Sequence, residues 1–133
     1  MLNWNIGVLT KKGKALLAKA QAGRCGIEIV KAQSGNGVYN SQESLDQSIS
    51  LKSAKQTFAI TKFSSSSDAA IVLKIVMNNV DLREGYDITE FGVFAKDPDE
   101  GEILYSIATA ETSDRMPAYN GISPCVINMS YCI

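Results

Sequence analysis

Carboxylates are the side chains best suited to chemistry, and one group lies in the second half of the chain: Asp81, Glu84, Asp87 and Glu90. Two carboxylates at a suitable separation can hydrolyse a glycosidic bond. Nothing in the sequence sets two of these groups face to face. Glu90 instead falls on a predicted strand face with apolar neighbours, where it needs a partner such as Arg83 or a backbone donor. We therefore predict a structural role for Glu90. A glycan-degrading enzyme that uses Glu90 and a second carboxylate is kept as an alternative hypothesis.

A second acidic group surrounds a predicted turn: Asp97, Asp99, Glu100 and Glu102. It lacks the EF-hand spacing, so a solvated hairpin tip is favoured over a calcium site. The chain has no histidine, which removes the commonest general base and the commonest metal ligand. The pair Gly35 and Gly37 matches neither a dinucleotide-binding fingerprint nor a P-loop. We expect no catalytic centre, no metal site and no cofactor.

The composition fits one globular domain over residues 1–133. Apolar residues make up 45% and charged residues 20%, which is unlike a disordered chain. The 13 basic and 14 acidic residues nearly balance, which argues against a nucleic-acid binder. Cys25, Cys125 and Cys132 have no CxxC spacing, so we expect reduced structural cysteines. We find neither a signal peptide nor an apolar run long enough to span a membrane.

Helical periodicity is clear over about 9–22. Its apolar stripe comprises Leu9, Gly13, Leu16, Leu17 and Ala20. Thr10 is the predicted N-cap of this helix. Gly23 is predicted to follow the C-terminal end of the helix in the left-handed conformation. Gly13 weakens the helix, so we expect it to allow close packing against a neighbouring element. Four lysines, Lys11, Lys12, Lys14 and Lys19, fall on the predicted solvated side.

The remainder, 26–133, is rich in predicted strands: 26–33, 55–63, 69–80, 87–96, 102–110 and 124–133. Turn chemistry occupies 34–37, a serine-rich tip 64–68 and an Asp-Pro turn 97–101. Two long connections remain, 38–53 with one helical turn starting at Ser41, and 111–123. The predicted fold is α+β, with an N-terminal helix packed on a mostly antiparallel sheet or sandwich of about six or seven strands.

Two stretches resemble a known family. The first, LTKKGKALLAKAQAG over 9–23, resembles the pattern L-T-x-x-G-x-x-L-L-A-K-A-x-A-G that opens phage tail-collar fibre N-terminal domains. The second, ITEFGVFAKDP over 88–98 followed by GEILY over 101–105, resembles a hairpin of the same family. The first motif is carried by Gly13, Leu16 and Leu17, and the second by Glu90, Gly92, Phe94, Gly101 and Tyr105.

The resemblance implies a structural virion protein that attaches a receptor-binding fibre to the baseplate or tail tip of a phage or phage-tail-like contractile particle. It implies assembly in the bacterial cytoplasm, other tail proteins and fibre chains as partners, and a trimeric fibre that meets the host receptor only indirectly. Such fibres normally continue into a shaft and a receptor-binding tip, whereas this sequence stops at Ile133, which suggests a truncated fibre, a short adaptor, or a chain whose distal part is a separate protein. The alternative is a small carbohydrate- or receptor-binding β-domain at the distal part of the fibre.

Contacts with partner chains are expected in three regions: the N-terminal segment with its helix, the connection 38–53, and the connection 111–123. The residues chosen there are Trp4, Ile6, Val8, Tyr39, Leu45, Ile49, Arg115 and Tyr119. Most are apolar or aromatic residues in segments predicted to be exposed, which is typical of residues that form interfaces.

Overall fold

The computed structural model describes the backbone of residues 3–4, 7–23, 26–40, 44–60, 62–65 and 71–132. Side chains are described over 7–23, 26–40, 44–60, 74–110 and 113–127. Predictions made for Ile6, Cys25 and Ser41, for positions 66–68 of the serine-rich tip, and for the side chains of Trp4 and Cys132, lie outside these ranges.

Strands in the described ranges form two antiparallel sheets. The larger sheet contains β1 (Asn3–Trp4), β2 (Val8–Leu9), β3 (Glu28–Gly35), β4 (Ala54–Phe58), β7 (Tyr86–Asp97) and β8 (Gly101–Met116). Its order is β1-β8-β7-β3-β4, and β2 also pairs with β8. The smaller sheet has the order β5-β6-β9, with β5 (Lys62–Ser65), β6 (Ile71–Asn78) and β9 (Val126–Cys132). An antiparallel β-rich fold with one N-terminal helix is confirmed, and the sandwich alternative stays a prediction.

Helix α1 (Lys11–Gln21) follows its sequence signals closely. The backbone N–H of Gly13 donates to the Thr10 hydroxyl at 2.9 Å, so the predicted N-cap is confirmed. Gly23 has φ 78°, the left-handed conformation expected after a helix. The helix begins two residues later than predicted because Val8 and Leu9 pair with β8.

The predicted close packing at Gly13 is also confirmed. A Cβ placed there would lie 2.2 Å from the carbonyl oxygen of Tyr105 on β8. Leu16 is fully buried against Ala95, Ile103 and Tyr105. Helix α1 therefore packs directly on the central strands of the larger sheet.

The hairpin of β7 and β8 is longer than predicted. Its turn at 98–100 and the positive φ of Gly101, 81°, agree with the Asp-Pro signal. However, β8 continues to Met116, which pairs with Tyr86. The expected loop at 111–123 is therefore wrong over 111–116, because Thr112 pairs with Asn3 of β1 and residues 114–116 pair with residues 86–88 of β7.

Two predictions around β3 and β4 are wrong. Ser34 and Gly35 do not form a turn, since both continue β3 and pair with Phe91 and Glu90. The single strand predicted over 55–63 is divided into β4 and β5, which belong to different sheets. The predicted hairpin with the following strand is confirmed only for β5, where Lys62 pairs with Lys74.

Both faces of the larger sheet are covered. Phe91 and Val93 join a core cluster that includes Ile75 and Met77 of the smaller sheet. Alternate positions of β7 point the other way, and there Phe94 packs with Leu51 of the connection between β3 and β4. The described parts of this connection, 36–40 and 44–53, are called the 36–53 loop below, and they cover one face of the sheet.

Candidate attachment site

The 36–53 loop is held by one buried carboxylate, that of Glu90. The side chain is 0% exposed, and each of its oxygens accepts two hydrogen bonds. Oε2 accepts from the backbone N–H groups of Gly37 at 2.7 Å and Ser53 at 2.8 Å. Oε1 accepts from the Tyr39 hydroxyl at 2.6 Å and the Lys52 N–H at 2.9 Å. We call these four donors and their acceptor the Glu90 clamp.

Glycines make room for the clamp. Gly35 is the register partner of Glu90 on β3, and a Cβ there would lie 2.1 Å from the Ser53 carbonyl oxygen. A Cβ on Gly37 would lie 2.5 Å from Oε2 of Glu90. The two glycines therefore allow a close approach of backbone to a carboxylate, which is a different use from the turn that the sequence suggested.

Further contacts fix the loop between its ends. The Lys52 ammonium lies 4.4 Å from the centre of the Tyr39 ring and donates to the Val38 carbonyl at 2.9 Å. The Thr89 hydroxyl donates to the Gly37 carbonyl at 2.7 Å. Leu45, in the 3₁₀ turn Leu45–Gln47, packs against the core cluster of Leu51 and its neighbours. The described parts of the loop are therefore tied to the sheet at both ends and, through Leu45, between them.

Two apolar side chains project from this anchored loop into solvent. Val38 is 76% exposed and Ile49 is 71% exposed. Beside Val38 lies an open groove of about 570 Å³, whose lining includes Lys55, Arg83 and Asp87. Exposed apolar residues next to mixed charge are suited to contact with another protein.

A further exposed apolar residue, Ile122, lies on the segment 117–125. The Asn79 side chain holds this segment, donating to the Pro117 carbonyl at 2.7 Å and accepting from the Cys125 N–H at 2.8 Å. Between these ties Ile122 is 87% exposed, and its N–H donates to the side chain of Asn120. The segment is therefore a fixed strap with an apolar tip.

The acidic turn differs from the predicted solvated tip. Asp97 is 2% exposed, and the ammonium of Lys19 lies 2.8 Å from its Oδ1 and 2.9 Å from Oδ2 of Asp99. The hydrogen bond from Lys19, and then the N–H of Asp99, hold the pKa of Asp97 below its usual value. The same pairing raises the pKa of Lys19. Lys19 is thus not on a purely solvated helix face, because it ties α1 to the hairpin turn.

The predicted contact residues are distributed over different environments. Ile49 and Arg115 are exposed, whereas Val8, Tyr39, Leu45 and Tyr119 are half-buried. Arg115 lies on β8 rather than in a loop, 3.3 Å from Asp87. Tyr39 has an internal role in the Glu90 clamp, which the prediction of a partner contact did not include.

The residues of the two motifs serve the fold. Gly92 is packed closely, since a Cβ there would meet Leu104 at 2.8 Å and Leu51 at 2.9 Å. Phe94 and Tyr105 are core residues, while Leu17 on the helix is half-buried. Sequence reasoning missed Val38 and Ile122 as exposed apolar residues; the available signal was an apolar residue isolated among polar ones.

The predicted backbone donor for Glu90 is confirmed, with Lys52, Ser53 and Gly37 in place of Arg83. A catalytic acid or base must reach a substrate to exchange a proton with it. Four donors occupy the Glu90 oxygens, and the side chain has no solvent exposure, so its position suits structure rather than acid–base chemistry. Among the described side chains, no group of three or more acidic, cysteine or histidine residues is placed to hold a metal ion.

The family model described as "Phage tail-collar fibre protein, N-terminal" matches residues 1–130. The chain therefore belongs to the phage tail-collar fibre N-terminal family, and the resemblance is confirmed. This is a structural family of the virion tail and not an enzyme family, so the chain is a tail-fibre N-terminal module. No curated protein and no solved structure gave a significant match. Of the helical segments that the structure describes, none has the length and apolarity needed to cross a bilayer.

Proposed function

We propose that this module attaches a receptor-binding fibre to the baseplate or tail tip of a phage or phage-tail-like contractile particle. The family assignment supports a place among tail proteins. The observation that supports attachment most directly is that the anchored 36–53 loop holds Val38 and Ile49 in solvent. The module would act by contact alone, and the fibre rather than this chain would meet the host receptor.

The 36–53 loop is the principal contact in this proposal. Burying an exposed Val or Ile side chain against a partner contributes about 1.5–3 kcal/mol. Val38 and Ile49 start largely exposed, so nearly all of this contribution is available for binding. The neighbouring charged groove supplies the polar rim that commonly surrounds an apolar interface centre.

The strap 117–125 and the N-terminal segment are the further contact regions. Ile122 is the most exposed large apolar residue of the strap. The backbone N–H of Tyr119 donates a hydrogen bond to the Leu82 carbonyl at 3.0 Å, which fixes the backbone there. A trimeric fibre would present three copies of each region. Three linked contacts bind more tightly than one, because the second and third form at a high effective concentration. Size-exclusion chromatography with light scattering tests the trimer, which has three times the chain mass of 14.4 kDa.

Immunogold electron microscopy of tail particles, with antibody raised against this chain, tests the proposal. Gold at the baseplate or fibre root is the expected result. Gold at fibre tips would instead favour the distal carbohydrate- or receptor-binding domain, which glycan titration with Tyr119→Ala as control would then examine. Intact particles without gold, from cells that produce the chain, would contradict attachment.

A further inference from the structure

The Glu90 clamp joins two parts of the chain that are distant in sequence. Gly37 lies at the start of the 36–53 loop, whereas Lys52 and Ser53 lie at its end. One carboxylate on β7 receives N–H groups from all three. Both ends of the loop are thus fixed to the same side chain, and the exposed Val38 follows directly after one fixed residue.

We infer that Glu90 is a positioning residue for attachment, which pre-forms the 36–53 loop although its own side chain never touches the partner. This inference rests on the proposed function. Glu90 is 0% exposed, so any effect of this side chain on binding must be indirect. A loop that is already ordered binds without losing further conformational freedom, which is the general advantage of pre-organisation.

The chemistry of the clamp requires a carboxylate. Three of the four partners are backbone N–H groups, which can only donate. A glutamine would keep the size of Glu90 but replace one acceptor oxygen with an NH₂ group, which would oppose two of the four donors in either amide orientation. Glu90→Gln therefore releases part of the loop while keeping the volume of the buried side chain.

Tyr86→Phe is the matched control. The Tyr86 hydroxyl is also buried on β7 and lies 2.5 Å from Ser34 Oγ and 2.7 Å from Gln56 Oε1. Removal of this hydroxyl lowers stability and leaves all four donors of the Glu90 clamp in place. Tyr86 also lines the groove beside Val38, but the hydroxyl that the variant removes is bonded to Ser34 and Gln56. A purely structural role for Glu90 would make the two variants behave alike at equal loss of stability.

The experiment measures two quantities for the full chain. The first is hydrogen exchange of the amides of Gly37, Lys52 and Ser53. The second is the number of chains per purified tail particle, by quantitative immunoblot. For Glu90→Gln we expect exchange at these amides to rise at least about 10-fold. We also expect the chain count to fall by about 5-fold or more, as weakened binding predicts, while Tyr86→Phe changes neither.

Unchanged amide exchange in Glu90→Gln would overturn the clamp as a positioning device. Faster exchange with a normal number of chains per particle would overturn the link between loop order and attachment, and would leave the proposed function standing. Absence of the wild-type chain from particles would overturn the proposed function itself. If Glu90→Gln does not fold, Tyr39→Phe removes a single donor, and a normal chain count together with faster loop exchange in that variant would overturn the inference.

Discussion

Glu90 and Asp97 lie on the same strand, β7, and both carboxylates are almost completely buried, but their surroundings differ. Glu90 receives hydrogen bonds from backbone N–H groups and a tyrosine hydroxyl. Asp97 receives them from the Lys19 ammonium and from the N–H groups of its own turn. The first carboxylate organises a loop that has little regular structure, and the second joins a helix to a hairpin.

The difference shows how the same side-chain chemistry serves two purposes. A buried carboxylate needs donors wherever it lies. Where the donors are backbone groups of one loop, the carboxylate determines the course of that loop. Where the main donor is a lysine on another element, the contact is an ion pair that depends on pH. Changes near Glu90 should therefore affect the 36–53 loop, and changes at Asp97 should affect the response to acid.

The largest expected effect is that of Gly35→Ala. The new Cβ would lie 2.1 Å from the Ser53 carbonyl oxygen and 2.6 Å from Oε2 of Glu90, so either the backbone or the clamp must move. Overpacking of this kind typically costs about 1–3 kcal/mol, and a backbone clash places this variant at the upper end. Urea denaturation measures the free energy of unfolding.

Gly26→Ala is the control for that prediction, because no atom lies within 4 Å of the Cβ it adds. We expect its free energy of unfolding to stay within about 0.5 kcal/mol of wild type. Equal stability of the two alanine variants would contradict the tight packing of Gly35 against the clamp.

Gly13→Ala tests the opposite face of the same sheet. Helix propensity alone predicts a gain of about 1 kcal/mol. The added Cβ would lie 2.2 Å from the Tyr105 carbonyl oxygen, so we predict a net loss of about 1–2 kcal/mol. Lys14→Ala, on the exposed side of α1, serves as control. A stabilised Gly13→Ala variant in thermal unfolding would show that α1 does not pack against β8 at this point.

Tyr86→Phe should have a smaller effect. It removes a buried hydroxyl that bonds Ser34 and Gln56, and the loss of a typical hydrogen bond costs about 0.5–1.5 kcal/mol. Burial also raises the pKa of Tyr86, so the hydroxyl is protonated at neutral pH. Denaturation followed by tryptophan fluorescence measures the loss, and an unchanged midpoint would argue against this network.

The smallest expected effect is a change in pH dependence for Asp97→Asn. Lys19 holds the pKa of Asp97 below its usual value, so the pair stabilises the fold above about pH 4. This stability is lost as the pH falls through the lowered pKa. The pKa of Lys19 is raised, so the stability that the charged ammonium contributes is lost only as the pH rises through that raised pKa. Melting temperatures between acidic and neutral pH should fall less steeply in Asp97→Asn, and a profile parallel to wild type would contradict the pairing.

Local signals in the sequence predicted the elements that local chemistry determines. Thr10 and Gly23 mark the ends of α1, because a cap needs only its own neighbours. The turn before Gly101 was predicted for the same reason. The glycines near Glu90 were misinterpreted, since a glycine favours a turn but also permits a close approach, and only the tertiary fold distinguishes the two uses.

The candidate site was only partly predictable. An apolar strand face around Glu90 indicated that the carboxylate needs donors, and a backbone donor was named as one option. The sequence did not reveal that the donors are Gly37, Lys52 and Ser53, since loop closure brings them to β7 from another part of the chain. The exposure of Val38 likewise depends on the course of the loop.

The most direct test of the attachment account is the double variant Val38→Ser/Ile49→Ser. Both side chains are already exposed, so its free energy of unfolding should stay close to that of wild type. Val80→Ser/Val126→Ser is the control, because both residues are 52% exposed and lie outside the 36–53 loop. The account predicts that chains per tail particle fall by about 10-fold in the first variant and not in the control. Equal incorporation of the two variants would contradict attachment through the 36–53 loop.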